Sequence, residues 1–410
     1  MTVPVMQVLV GFQSTTGFGT PFQLNDSFYG VLDTAGRGTL GGVTMVDLTS
    51  IVESVNINRG RSRQLDQFNA GSATIAFNNQ TQVLNPTNTS SPYYPYVLPR
   101  CPVQVLANGI PIYTGLVTDW NLNYDISNKD MMYASCADNF TVLANQALNA
   151  FTPSAQATGA RINTILDLTE INYQGARSID TGSSSLGAYA VTQDTVCLNY
   201  LQLVNTSEQG YLFMSANGTL TFKGRSSVLN PVAGATFNTT GTGLPYQTLI
   251  NQYGDELLYN YIVTQSPAGA AQTTSNASSI ALYQAQNYNL LDLLNSTTTE
   301  VAGLGNYLLG KYQTPQLRFT GLSTQLTALS STDQNIALTL DLTSICTVVK
   351  NFVTGTPSTE TQTLIVSGVS HNITPGSHII SYTFESTDGN QYLTLNDTIF
   401  GTLDNNLLSF

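Results

Sequence analysis

A ten-residue segment near the start of the chain returns near its end with little change. Residues 24–33 read LNDSFYGVLD and residues 395–404 read LNDTIFGTLD, so six of the ten positions are identical. In both copies an Asn-Asp pair precedes a glycine, which is typical of a turn leading into an extended stretch. We interpret the copies as equivalent parts of two β modules, one near each terminus; a chance similarity between Asn- and Thr-rich loops is the alternative. A chain with two like modules would form a pseudo-sixfold ring from three copies.

The composition predicts a folded protein with an unusually neutral surface. Only 9% of the 410 residues are charged, against about 25% in average soluble domains, while the apolar share of 41% is ordinary. A chain of this length is expected to divide into two to four domains. Because charged groups are costly to bury at the centre of an interface, a surface with few of them favours permanent protein–protein contacts.

The net charge argues against retention of nucleic acid. The chain carries a formal charge of −12, so three copies would carry 3 × −12 = −36. Affinity for phosphates needs clustered Lys and Arg, so DNA that meets such an assembly would pass it without specific binding.

The cysteines and the apolar segments indicate a protein made in a cytosol. No signal-peptide pattern precedes the first apolar run, which we interpret as a strand, and no apolar stretch is long enough to span a membrane. The four cysteines form neither a CxxC pair nor a disulfide framework, and we expect reduced thiols: Cys101, Cys136, Cys197 and Cys346.

The hydrophobic patterning predicts a mainly β fold with an α+β insert. Alternating runs broken by turn signals predict an antiparallel barrel or sandwich over residues 1–135, with a tight hairpin at Asn108-Gly109. Residues 136–228 are predicted to form a small mixed domain, with helices at 139–148, 160–168 and 195–207 and a hairpin after residue 210. Residues 229–410 return to a β pattern, interrupted by a short helix near 296–306, and form the second barrel module with an accessory segment.

Two groups of residues are predicted to take part in assembly. Arg59, Arg61 and Arg63 lie within five residues of one another, and alternate residues of a strand point the same way. We expect their planar donors to clamp a neighbouring subunit or domain; local stabilisation of the fold and contact with DNA are the alternatives. The second group comprises positions identical in both copies of the terminal repeat: Leu24, Asp26, Gly30, Leu395, Asp397 and Gly401.

Few residues are candidates for catalytic or metal chemistry. His371 and His378 are the only histidines, and no Cys or acidic residue accompanies them at ligand spacing. Glu208 together with Asp255 and Glu256 offers a carboxylate pair of the kind that glycosidases use. No nucleotide-binding or nucleophile-elbow motif occurs. The sequence therefore predicts no catalytic, metal or cofactor site.

Several stretches, taken in order, resemble tailed-phage minor tail proteins. They include VNINRGRS at 55–62, GLVTDW at 115–120, GTLTF at 218–222, VSHNITPG at 369–376 and FGTLD at 400–404. The resemblance extends over nearly the whole chain. It implies a baseplate hub, a trimer at the distal end of a siphophage tail tube whose protomers each contribute two tube-like β-barrels.

The resemblance leads to a structural function and to a set of partners. A homotrimeric hub would match a sixfold tail to a threefold tip, line part of the DNA channel and reside at the tail tip of the virion. Its expected partners are the distal tail protein of the sixfold ring, the tape-measure protein and a tail-tip fibre or spike. The alternatives are a carbohydrate-binding adhesin, favoured by 21 tyrosines and many Asn side chains, and a cell-wall hydrolase that uses the carboxylate pair.

Overall fold

The computed structural model describes residues 2–12, 43–126, 129–228 and 233–387. Both copies of the terminal repeat lie outside the described residues, so the interface role of these positions stays a prediction: Leu24, Asp26, Gly30, Leu395, Asp397 and Gly401. Within the described residues strands dominate, and most helices lie in the middle and C-terminal parts. This confirms the predicted mainly β fold with an α+β insert.

The N-terminal part consists of strands whose side chains alternate between core and solvent, as in β3, where Val55 and Ile57 are buried and Asn56 is exposed. A tight turn joins β5 and β6, with positive φ at Asn108 (51°) and Gly109 (76°), which confirms the predicted hairpin. The strands are β1 (Met6–Phe12), β2 (Thr44–Asp47), β3 (Val52–Gly60), β4 (Asn69–Asn78), β5 (Pro102–Ala107), β6 (Ile110–Asn123) and β7 (Met131–Ala137).

The middle part packs short helices against small sheets, as expected for residues 136–228. The predicted helix over 139–148 is wrong beyond Ala144, because Ala147–Leu148 pair as a strand with Thr195–Val196. The predicted hairpin after residue 210 is confirmed. The elements are α1 (Phe140–Ala144), β8 (Ala147–Leu148), β9 (Gln156–Ala157), α2 (Thr158–Leu166), β10 (Arg177–Ile179), β11 (Ser185–Leu186), β12 (Thr195–Val196), α3 (Cys197–Glu208), β13 (Tyr211–Met214) and β14 (Leu220–Lys223).

The C-terminal part returns to long strands but holds more helix than the sequence predicts. The helix expected near 296–306 is longer, and it begins with an N-cap in which the Thr297 hydroxyl accepts from Glu300 N–H. The elements are β15 (Ala235–Asn238), β16 (Thr248–Tyr253), β17 (Tyr261–Thr264), β18 (Gln272–Ser275), α4 (Ala277–Tyr283), β19 (Asn287–Leu290), α5 (Thr298–Tyr312), β20 (Leu317–Gln325), α6 (Ser331–Thr339), β21 (Ile345–Asn351), β22 (Thr359–Thr374) and β23 (Ser377–Ser386).

One sheet joins the two ends of the chain. Its strands follow the order β16-β20-β23-β22-β3-β4-β7-β6-β5-β1-β2, with β21 and β15 attached beside β22. The junction is the antiparallel pairing of β22 with β3, in which Gly368 faces Gly60 and Ile373 faces Val55. No closed barrel is found among the described residues. Instead, β3 and β22 pair with each other and join strands from both ends of the described chain in one sheet.

Strand β22 changes partner halfway along its length. Residues up to Ile365 pair with β21, and residues from Gly368 pair with β3. The change coincides with an irregularity between Val366 and Gly368. Here the carbonyl of Ser367 accepts a hydrogen bond of 2.9 Å from Arg61 N–H. The junction between the lobes is therefore fixed by backbone hydrogen bonds next to the arginine cluster.

The buried apolar residues form one large cluster and one small one. The large cluster runs from Val8 to Phe384 and includes the packed middle part. The small cluster surrounds α5 and the sheet of β17, β18 and β19, with Ile262 and Tyr312 among its members. In the described part of the chain, no helix has the length and apolar character needed to cross a membrane.

Candidate functional site

The three predicted arginines lie beside the junction of β3 and β22, but they do not share one strand face. Strand β3 ends at Gly60, whose φ of +100° departs from extended geometry. A Cβ at this position would lie 2.3 Å from the carbonyl oxygen of Ser367, so the close approach of two backbones requires glycine. Arg59 is therefore the last arginine on the strand, and Arg61 and Arg63 lie in the loop that follows. The premise of one shared face is wrong for this reason.

Arg59 is buried and reaches the region before β21. Its Nη2 donates to Asp341 Oδ1, and its Nη1 lies 3.5 Å from the carbonyl oxygen of Met214. The other carboxylate oxygen of Asp341 accepts from Ala216 N–H at 2.7 Å. Arg59 and Asp341 together therefore connect β3, the β13–β14 hairpin and the C-terminal part.

Arg61 forms the most enclosed ion pair of the cluster. Its Nη2 lies 2.5 Å from Glu385 Oε2, and the side chains are 9% and 1% exposed. The guanidinium also donates to the Asp66 carbonyl at 2.8 Å and lies over the rings of Phe68 (4.6 Å) and Tyr211 (5.4 Å). Burial is the largest single influence and opposes the charged form, but Glu385, Tyr211 and Tyr312 together outweigh it, so the pKa of Arg61 is raised.

Arg63 forms a surface pair. Its Nη1 lies 3.4 Å from Glu256 Oε1, and both side chains are about half exposed. All three arginines therefore pair with carboxylates of the C-terminal part of their own chain. Whether they also hold a neighbouring subunit stays a prediction.

Apart from Glu256, which the sequence offered as part of a hydrolase pair, the carboxylates around the cluster were not singled out from the sequence. Asp138 is a further example: it is buried beside Arg59 and accepts from Gly71 N–H at 2.6 Å and Phe140 N–H at 3.0 Å. Burial raises the pKa of Asp138 to about 6, although these hydrogen bonds and Arg59 act to lower it. In the sequence, Asp138 lies where the β pattern changes to a helical one, and this change is the feature that could have pointed to it.

The two histidines lie on adjacent strands and contact each other. His371 Nδ1 and His378 Nε2 are 3.0 Å apart, and both rings are buried. Burial lowers the pKa of both, that of His378 to about 4, so the pair is neutral at pH 7. Across residues 2–12, 43–126, 129–228 and 233–387, no cluster of three or more metal-ligating side chains occurs. The two rings form a hydrogen-bonded pair within the core.

The carboxylates considered for a hydrolase site differ in their burial. Glu208 is fully buried, and it accepts from Ser183 N–H (2.9 Å), Ser184 N–H (2.7 Å) and the Thr158 hydroxyl (3.0 Å). Glu256 is exposed and pairs with Arg63. A carboxylate whose oxygens are occupied by three donors inside the core has no route to a polymer, so Glu208 stabilises the loop at residues 183–184.

A cleft of about 280 Å³ lies next to the Arg61–Glu385 pair. Its walls are the loop after β3, the end of α3, the start of β13, strand β19, helix α5 and the end of β23. The N-terminal lobe, the middle part and the unit around α5 therefore meet here. Tyrosines and amide side chains supply much of the lining, including Tyr211, Tyr288, Tyr307, Tyr312, Gln64 and Asn205.

Comparison with known proteins relates this fold to phage tail proteins. No protein-family model matches the sequence, and no curated protein matches it significantly. The 43 kDa tail protein of prophage MuSo2 from Shewanella oneidensis superposes with a TM-score of 0.54 at 11% identity, over 85% of this chain and 96% of that one. A tail protein from Neisseria meningitidis MC58 gives 0.58 at 9% identity, over 94% and 97%. Prophage tail protein gp18 from Listeria monocytogenes EGD-e gives 0.50 at 10% identity, over 93% and 95%.

These likenesses extend almost from end to end in each pair of chains. At identities of 9–11%, these likenesses show a shared fold and nothing more specific. The resemblance to tailed-phage tail proteins that the sequence indicates is confirmed at this level.

Proposed function

We propose that this chain is a non-enzymatic structural protein of a phage tail, and that it forms a homotrimeric hub at the distal end of the tail tube. The observation that carries the proposal is the fold shared with the Neisseria tail protein over 94% of this chain and 97% of that one. The enclosed position of Glu208 agrees with a structural role.

The organisation of the chain supports a ring-forming protomer. In the proposal, residues 1–135 and 229–410 are the two tube-like modules and residues 136–228 are the domain between them. The pairing of β3 with β22 fixes the two modules side by side in one sheet. The ion pairs of Arg59 and Arg61 hold the same junction. A protomer with two rigidly joined modules suits a threefold ring that mimics sixfold symmetry.

The charge supports passage of DNA without retention. The formal charge of −12 per chain opposes binding of phosphates along a channel. The proposed partners are the distal tail protein of the sixfold ring, the tape-measure protein and a tail-tip fibre or spike. The proposed location is the tail tip of the virion.

Native mass measurement tests the assembly state. Three copies of the 44.0 kDa chain give a particle of 132 kDa. Purified protein is measured by light scattering over a range of concentrations, alone and with the sixfold distal tail protein of the same phage. A 132 kDa species that adds to the sixfold ring supports the proposal. A monomer that stays at 44.0 kDa under both conditions, or a hexamer, contradicts it.

A further inference from the structure

Residues that line the cleft beside Arg61 carry buried polar atoms without hydrogen-bond partners among the described residues. They are three acceptors, Gln64 Oε1, Asn205 Oδ1 and Glu385 Oε1, and one donor, Arg61 Nε. Gln64, Asn205 and Glu385 are 6%, 4% and 2% exposed. Buried polar atoms are nearly always paired, so this concentration in one wall indicates a missing partner. The terminal amide torsions of Gln and Asn are soft, so small rotations would turn both oxygens into the cleft.

The charges around the cleft favour a neutral ligand. Arg61 and Lys311 line it together with Asp66 and Glu385, so the formal charges cancel. A cationic ligand only donates hydrogen bonds and would leave Arg61 Nε unpaired. An anionic ligand would face the three unpaired acceptors. Hydroxyl groups both donate and accept, and they would satisfy all of these atoms.

The tyrosines add flat apolar surface with a polar edge. Tyr211, Tyr288, Tyr307 and Tyr312 line the cleft. Burial raises the pKa of Tyr211, Tyr288 and Tyr312, so their hydroxyls stay protonated and can donate. Tyrosine combines an apolar face with a hydrogen-bonding tip. The C–H face of a sugar ring and its hydroxyls match these two features.

Backbone geometry and size agree with a small ligand site. Leu65, in the wall, has a positive φ of 74°, and strained residues of this kind cluster at ligand clamps. The volume of about 280 Å³ corresponds to about nine liquid water molecules and lies at the lower end of small-molecule pockets.

We infer that this cleft binds a neutral saccharide unit, of the kind exposed on a bacterial surface glycan. Amide and carboxylate oxygens of Gln64, Asn205 and Glu385 accept from its hydroxyls, and Arg61 Nε donates to one of them. The exposed carboxylate of Asp66, which also lines the cleft, accepts from a further hydroxyl. The half-buried rings of Tyr288 and Tyr307 cover its C–H face. The inference does not depend on trimer formation, because every residue named belongs to one chain.

Titration of the full chain with simple sugars tests the inference. Glucose, galactose and N-acetylglucosamine are the probes, calorimetry and ligand-observed NMR are the readouts, and n-butylammonium serves as a mimic of a peptide lysine. We expect at least one sugar to bind with a dissociation constant of about 0.1–10 mM. Gln64→Leu and the exposed-site variant Asp66→Ala are each expected to weaken binding by at least about tenfold.

Matched controls distinguish a loss of sugar binding caused by a change in the cleft from one caused by loss of the fold. Gln247→Leu makes the same chemical change as Gln64→Leu at an exposed position outside the cleft, and it is expected to leave sugar binding unchanged. Thermal unfolding of each variant shows whether the fold persists, and Asp66→Ala keeps the test valid if Gln64→Leu does not fold. Failure of all three sugars to bind, binding unaffected by both cleft variants, or binding of n-butylammonium alone would overturn the inference.

Discussion

The buried pair of Arg61 and Glu385 offers a quantitative test of how the two ends of the chain are held together. Glu385→Gln removes the carboxylate charge and keeps the shape of the side chain. Because Arg61 is 9% exposed and Glu385 1%, the remaining guanidinium would stay buried without its counter-charge. Breaking a buried pair in this way costs about 3–5 kcal/mol.

The expected cost lies near the lower end of that range, at about 3 kcal/mol. Arg61 keeps its bond to the Asp66 carbonyl and its place over Phe68 and Tyr211, and a Gln oxygen still accepts a hydrogen bond. Glu256→Gln is the matched control, because it makes the same change in the half-exposed pair with Arg63. A surface pair contributes about 0–1 kcal/mol.

Equilibrium urea unfolding, followed by the fluorescence of the single tryptophan Trp120, measures both costs. The double variant Arg61→Met, Glu385→Leu removes both charges and is expected to be more stable than Glu385→Gln, since paired removal leaves no unpaired charge. Equal costs for Glu385→Gln and Glu256→Gln would refute the reasoning. A double variant that is less stable than Glu385→Gln would also refute it.

Three further changes test other parts of the structure. Gly60→Ala is expected to cost at least about 2 kcal/mol, because its Cβ would meet the Ser367 carbonyl oxygen at 2.3 Å; Gly109→Ala, whose Cβ meets nothing within 4 Å, is expected to cost less in the same denaturation assay. Arg63→Ser is expected to change stability by less than about 1 kcal/mol and to weaken trimer formation in light scattering; an unchanged trimer would exclude the subunit clamp at this residue. The folded-state pKa of His378 is lowered to about 4, so its contribution to stability is complete above about pH 6.5 and is lost as pH falls toward 4, by an amount on the order of 3 kcal/mol. Asp138, with a pKa raised to about 6, changes stability with pH in the opposite direction. The test therefore compares the pH dependence of the unfolding free energy of His378→Gln with that of the native chain. Identical curves would contradict the predicted contribution of His378.

The local sequence pattern predicted correctly those structural features that depend on residues adjacent in the sequence. The alternation in β3 and the Asn108-Gly109 turn are examples, because strand burial and turn geometry depend on a few adjacent residues. The helix expected over 139–148 fails for the opposite reason. Its second half has a helical pattern, but Ala147–Leu148 find a strand partner at Thr195–Val196, and tertiary pairing overrides local preference.

The candidate sites were harder to predict from the sequence, because their residues are far apart along the chain. The arginine cluster was visible because three arginines lie within five residues, but its partners Asp341, Glu385 and Glu256 are 193 or more positions away in sequence. The cleft has no local motif, since its walls come from six separate segments of the chain. Only the fold brings the loop after β3, the end of α3 and helix α5 together.

The geometry at the end of β3 connects these observations physically. Gly60 allows the backbone to approach Ser367, where β22 exchanges β21 for β3. The same turn of the backbone moves Arg61 off the strand and over the rings of Phe68 and Tyr211, next to Glu385. One backbone conformation therefore sets both the junction of the two lobes and one wall of the cleft. A substitution that relaxes it, such as Gly60→Ala, is expected to weaken the lobe junction and sugar binding together, whereas Glu256→Gln should affect neither.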